Sequence, residues 1–180
     1  MKEVWKKFDE NELTHSSAHH LMAIFELLKT KGYARGIDVA KHLGITRGSV
    51  AITLKQLKKK GLISEDENKF FQLSQPGKDL VNTVLSKRHI LIKFLKEVLQ
   101  LSPMNAEIDA CKIEHLISQE MGEKLLMFMG FFMSDRMEVK EFKAGFKEFT
   151  FACQSTETCQ VCETECFYSG KTEQDIIQME

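Results

Sequence analysis

The 180-residue sequence has only two prolines, Pro76 and Pro103. Long stretches are therefore free of the residue that most often breaks a helix. No apolar run reaches the length a membrane span needs. The opening "MKEVWKKFDENELTH" lacks the uninterrupted apolar core of a secretory signal, so a cytoplasmic protein is expected. No nucleophile–base pair and no phosphate-cradling loop is visible, which argues against an enzyme. An excess of one charge sign is also missing: the net charge of −1 is compatible with a basic face beside an acidic one. The five cysteines, in a reducing compartment, read as thiols or metal ligands rather than as a disulfide framework.

What is present is ordinary for a globular chain, with 43% hydrophobic and 28% charged residues. The periodicity is mainly helical. "SAHHLMAIFELLKTK" places Leu21, Ile24, Phe25 and Leu28 at i, i+3, i+4, i+7, the stripe of an amphipathic helix, and Gly32 is suited to end it. In "GIDVAKHLGITRGSVAITLKQLKKKGLI", Val39, Ala40 and Leu43 predict a short helix and Gly44 a turn. Thr46 is a suitable N-cap for a second helix buried through Val50, Leu54 and Leu57. That pattern predicts a helix-turn-helix, against the plainer alternative of two core helices joined by a glycine. Leu62–Ile63 and Phe70–Phe71–Leu73 flank a polar turn at 66–68 and predict a hairpin. A hairpin behind a helix-turn-helix makes a winged helix.

Positive charge accompanies this unit: Arg47, Lys55, Lys58, Lys59, Lys60 and Lys69. In a winged helix these charges face phosphates and supply salt-dependent affinity; alone, a lysine run is a solvated helix end. Base contacts are expected early on the second helix, from Thr46, Arg47, Ser49 and Thr53, with Arg47 the strongest discriminator among them.

From Gly77 to Leu101 one long helix is expected, carrying Leu80, Val84, Leu91, Phe94, Leu95 and Val98. After Pro103 comes "DACKIEH", in which Cys111, Glu114 and His115 fall on one helical face. "MGEKLLMFMGFFM" is more apolar than a small monomer can easily cover. Leu125, Phe128 and Phe132 predict a subunit interface there, unless the segment is a central core helix. His19 and Met22 lie one turn apart on the first helix, and His89 sits on the long one. Three helices thus bring Cys, His, Glu or Met at one-turn spacings, a donor set that can hold a metal.

The chain resembles the metal-dependent repressors of the diphtheria-toxin-repressor family, especially the shorter manganese-regulator branch. The resemblance runs from about Ser17 to about Gly130. It is carried by "KGYAR" (31–35), "DVAKHLGITRGSV" (38–50), "KRH" (87–89) and "CKIEH" (111–115). It implies a homodimer that binds double-stranded operator DNA when loaded with metal. The implied sensing site comprises His19, Met22, His89, Cys111, Glu114 and His115. The chain departs from the family pattern at three points. His19 stands where relatives carry a carboxylate or a methionine, and Met22 where the manganese branch carries a carboxylate. Lys93 stands where relatives place a glutamate. One well-formed site is therefore expected. A thiolate with imidazoles is softer than the oxygen-rich set Mn²⁺ prefers, which puts Mn²⁺ last. Ligand type does not separate iron from zinc, and with the role the resemblance implies Fe²⁺ is expected first and Zn²⁺ second.

The tail "CQSTETCQVCETEC" adds Cys153, Cys159, Cys162 and Cys166 in a C-x5-C-x2-C-x3-C arrangement that the resemblance does not cover. An iron–sulfur cluster and a closed four-thiolate zinc site both fit it, as do free thiols. The expected organisation is a winged-helix domain (1–75), an α-helical metal-binding and dimerisation domain (76–150) and a Cys-rich tail (151–180). Two rival functions use the same features. One is a winged-helix regulator sensing through an iron–sulfur tail. The other is an iron–sulfur or zinc protein-interaction module without DNA binding.

Overall fold

A computed structural model of the chain describes residues 13–149. Helix α1 (His15–Lys31) begins where the Thr14 hydroxyl accepts the Ser17 amide. It ends at Gly32, whose φ of 77° returns its N–H to the Leu28 carbonyl, a left-handed stop that glycine adopts without strain. Helix α2 (Gly36–Leu43) buries Val39 and Ala40. After the turn at Gly44, α3 (Arg47–Lys59) is capped by Thr46, which accepts the Ser49 amide at 3.2 Å.

Strands β1 (Ile63–Glu65) and β2 (Phe71–Leu73) pair antiparallel with Ile63 opposite Leu73. Their turn is tied by the Asp66 carboxylate, which accepts the amides of Asn68 and Phe70. Phe71 donates its amide to the Ala34 carbonyl at 2.8 Å, and this joins the wing to the α1–α2 connection. The two helices, the glycine turn and the hairpin expected from the spacing occur in that order.

Helix α4 (Gln75–Lys93) opens on a Ser74 cap with Pro76 in its first turn, where no intrahelical N–H is needed. At Gly77 a β-carbon would stand 2.1 Å from the Leu62 carbonyl oxygen, so only glycine lets the wing and α4 approach this closely. A π-helical turn, Phe94–Val98, extends α4. Next come α5 (Pro103–Ile113) and α6 (Gln119–Phe132), with N-caps from Ser102 and Ser118. The chain divides into two compact units after Met133. Helix α7 (Met137–Glu148) belongs to the second.

The first unit has one large core and two small ones. The large core runs from Leu13 through Ile24, Val39, Leu57 and Phe71 to Val84. The small ones gather around Leu91, Leu95, Ala106 and Ala110, and around Val98, Met129 and Phe132. This revises the expected interface residues. Phe132 is buried within its own chain and Leu125 packs on the Leu91 cluster, because α6 turns that stripe onto α4 and its π-helical extension. Within 121–133 the apolar side chains left exposed are Met121, Leu126, Met127, Phe131 and Met133, with Phe128 at the boundary. No helix among the described residues is long and apolar enough to cross a membrane.

Candidate metal centre and DNA-binding face

Helix α1 places His15 and His19 one turn apart, with ring centroids separated by 4.3 Å. Opposite them, α5 presents Cys111, whose Sγ lies 3.3 Å from His19 Nε2. One ligand atom from each of His15, His19 and Cys111 falls within 4.8 Å of the other two. His115 borders the group, its ring centroid 5.0 Å from that of His15. Burial, followed by the neighbouring His15 and Arg88, lowers the His19 pKa from 6.5 to about 4. Burial also lowers that of His115. Near neutral pH the His19 ring is accordingly neutral, the form that ligates metal.

The helix carrying "DACKIEH" is shorter than its periodicity predicts. It ends at Ile113, Glu114 is its C-cap, and the next amides return to the Ile113 carbonyl. Glu114 nevertheless lies fully buried at 0% exposure. Its Oε2 accepts from Arg88 Nη1 at 3.3 Å, and the other guanidinium nitrogen of Arg88 donates to Glu107 at 3.1 Å. Glu114 Oε1 is buried with no hydrogen-bond partner. Burial raises the Glu114 pKa, opposed by Arg88. A soft sulfur, neutral imidazoles and an unsatisfied carboxylate oxygen fit a divalent first-row cation.

Of the sequence-predicted ligands, His19, Cys111, Glu114 and His115 are therefore brought to one region. Met22 is half-buried and lines a cleft of about 330 Å³ with His19, Glu26, His42 and Arg88. His89 is a departure: it is exposed on α4, and the side chain that reaches the cluster from this helix is its neighbour Arg88. His15 escaped sequence reasoning because a single histidine one turn before His19 belongs to no motif; the i, i+4 spacing was its one signal. Lys93 is exposed. Cys153, Cys159, Cys162 and Cys166 lie outside the described residues.

The second candidate surface is the cleft between α3 and the wing, about 640 Å³ in volume. Arg35, Arg47, Lys55, Lys58 and Lys69 rim it over a floor of Val50, Leu54 and Phe71. Arg35 also stacks on the Phe70 ring at 4.1 Å; it lies outside the recognition helix and so was not expected from sequence. Lys58 and Lys69 share Glu65 as an ion-pair partner. Thr46, Arg47, Ser49, Lys55 and Lys59 are exposed. Thr53 is not, and the expectation that it reads bases is corrected. Only 8% exposed, it donates its hydroxyl to the Ser49 carbonyl and lies with Val50, Leu54 and Leu57 on the buried side of α3.

A fold of this kind, with a winged helix leading into helices that share a metal-ligating cluster, is that of metal-responsive DNA-binding regulators. Residues 74–141 match the family described as the iron dependent repressor, metal binding and dimerisation domain. The HTH-type transcriptional regulator MntR of Oceanobacillus iheyensis is 27% identical over 135 residues, which is 75% of this chain and 91% of the relative. MntR of Escherichia coli is 33% identical over 105 residues, covering 58% of this chain and 67% of the relative. The manganese regulator SloR superposes with a TM-score of 0.59 at 21% identity, over 64% of this chain and 54% of that one. The chain belongs to the diphtheria-toxin-repressor and manganese-regulator family of metal-dependent transcriptional repressors, whose members are not enzymes.

Proposed function

We propose that this chain is a homodimeric repressor of metal-homeostasis genes that binds operator DNA when loaded with Fe²⁺, with Zn²⁺ the next metal in preference and Mn²⁺ the last. The observation that carries this reading is the cluster itself. His15 and His19 belong to α1, the helix on which the recognition unit packs, whereas Cys111 belongs to α5 in the family's metal-binding and dimerisation segment. A bound cation would supply an electrostatic cross-link between these two elements.

The chain's own groups do the rest. The neutral His19 ring offers a lone pair, and the 3.3 Å contact between His19 and Cys111 holds the two donors in register before loading. His115 and Glu114 close the side of the cluster at the end of α5. Because α1 packs on α2, α3 and β2, fixing α1 against α5 biases where each recognition helix stands in a dimer. Two heads must lie about one DNA turn, or a multiple, apart to reach successive half-sites. A ligand shifts that spacing only as far as it binds the DNA-competent arrangement better. On the DNA, Thr46, Arg47 and Ser49 are proposed to face base edges, with Arg35, Lys55, Lys59 and Lys69 on phosphates.

The donor types place Mn²⁺ last, since sulfur and imidazole ligands are softer than Mn²⁺ favours. Fe²⁺ is put ahead of Zn²⁺ on the iron-dependent role of the matched family. The test is anaerobic selection from a random duplex library with full-length protein and Fe²⁺. An enriched inverted repeat supports the reading, and enrichment of no sequence overturns it.

A further inference from the structure

Arg88 is the one charged side chain of α4 that reaches the candidate metal centre, and no metal-ligating role accounts for it. Its guanidinium is divided between two carboxylates, Glu114 at 3.3 Å and Glu107 at 3.1 Å. The two partners differ sharply. Glu107 is half exposed, whereas the Glu114 side chain is 0% exposed and keeps a second oxygen with no hydrogen-bond partner. A carboxylate removed from water needs a counter-charge, and breaking such a pair is far more costly than losing a surface one. Arg88 supplies that charge in this arrangement. It also lies beside Cys111, so one cation neutralises the acidic side of the cluster from α4.

We propose that Arg88 is an intramolecular competitor of the metal for Glu114. In metal-free protein the guanidinium holds the buried carboxylate on α4, and on metal loading Glu114 leaves Arg88 for the cation. Arg88 thereby raises the metal concentration at which the regulator loads. The unsatisfied Glu114 oxygen is the second observation: the present pairing uses only part of the carboxylate's acceptor capacity, and a divalent ion offers more charge than one guanidinium. A positive side chain so close to the donors also opposes a dication directly. The opposite role, in which Arg88 assists loading by holding the donors in place, gives the reverse sign in the same experiment.

This inference rests on the metal-binding reading above, and the test separates the two. Zn²⁺ affinity of full-length protein is measured by competition with a chromophoric chelator, under reducing anaerobic conditions, for wild type and Arg88→Gln. Wild type that fails to bind Zn²⁺ and Fe²⁺ overturns the metal-binding reading and this inference with it. Given binding by wild type, Arg88→Gln is expected to bind Zn²⁺ roughly tenfold more tightly, about 1.4 kcal/mol. It should also melt lower when metal-free and show a larger metal-induced rise in Tm. Unchanged or weaker affinity overturns the competitor role alone. Should Arg88→Gln not fold, Arg88→Lys keeps the positive charge but loses the planar fork that spans both carboxylates. Its looser hold on Glu114 should give tighter Zn²⁺ binding than wild type, and equal or weaker binding overturns the proposal.

Discussion

The two halves of the first unit are stabilised in different ways. From Leu13 to Val84 a single core closes on itself: Ile24, Val39 and Leu57 are fully buried, and the wing is stitched to the α1–α2 connection by backbone hydrogen bonds. From Ile90 to Met133 the apolar residues form two small clusters and leave Leu126, Met127 and Phe131 in water at 58%, 69% and 48% exposure. The first half closes its core unaided, although Ile52 stands 65% exposed on α3. The second carries an uncovered apolar face and a buried carboxylate with one oxygen unpartnered. In the metal-loaded dimer proposed above, those would be the surface for the second copy and the place for the cation.

Breaking that difference on the uncovered apolar face should have the largest effect. Phe131→Asp is expected to convert dimer to monomer by light scattering with the fold intact by circular dichroism. It should also cost operator binding roughly 10²–10⁴-fold, the gain that coupling two heads confers. Leu57→Ala tests the self-sufficient half. A leucine at 0% exposure truncated to alanine should lower unfolding free energy by about 3 kcal/mol, read by urea denaturation, with little change in dimerisation. His19→Ala probes the junction and should weaken metal binding by about 100-fold or more, since losing even a group behind a ligand costs roughly 10–100-fold. Metal-free stability should change little.

A further prediction concerns pH. The His19 pKa is lowered from 6.5 to about 4 in the folded, metal-free state, so as pH falls the unfolded chain binds the proton first. Stability from this group is present above pH 6.5 and is lost as pH falls from there towards 4. Thermal melts of metal-free protein should show that slope, and His19→Gln should flatten it.

The winged helix was legible in sequence because its signals are local. Thr46 caps the helix it precedes, Gly44 turns where a turn is needed, and Val50, Leu54 and Leu57 recur at helical spacing. Thr53 was misread for an equally local reason. A threonine counts as polar in a pattern, yet its hydroxyl is satisfied by the Ser49 carbonyl one turn back, and that lets its methyl enter the core. The candidate metal centre was legible only where donors sit one turn apart. Arg88 and Glu114 are 26 positions apart, and nothing in either neighbourhood announces the pair. The exposed apolar face was half legible: the apolar excess of 121–133 was evident, but which stripe faces inward depends on where α4 and its extension lie.

Coupling of metal loading to DNA binding through α1 and α5 is the central claim. The direct test is fluorescence anisotropy of the full-length protein on selected duplex DNA, anaerobically, with saturating Fe²⁺ and again after chelation. Coupling of ordinary size predicts DNA affinity about 5–150-fold higher with metal. Equal affinity in the two states would contradict it.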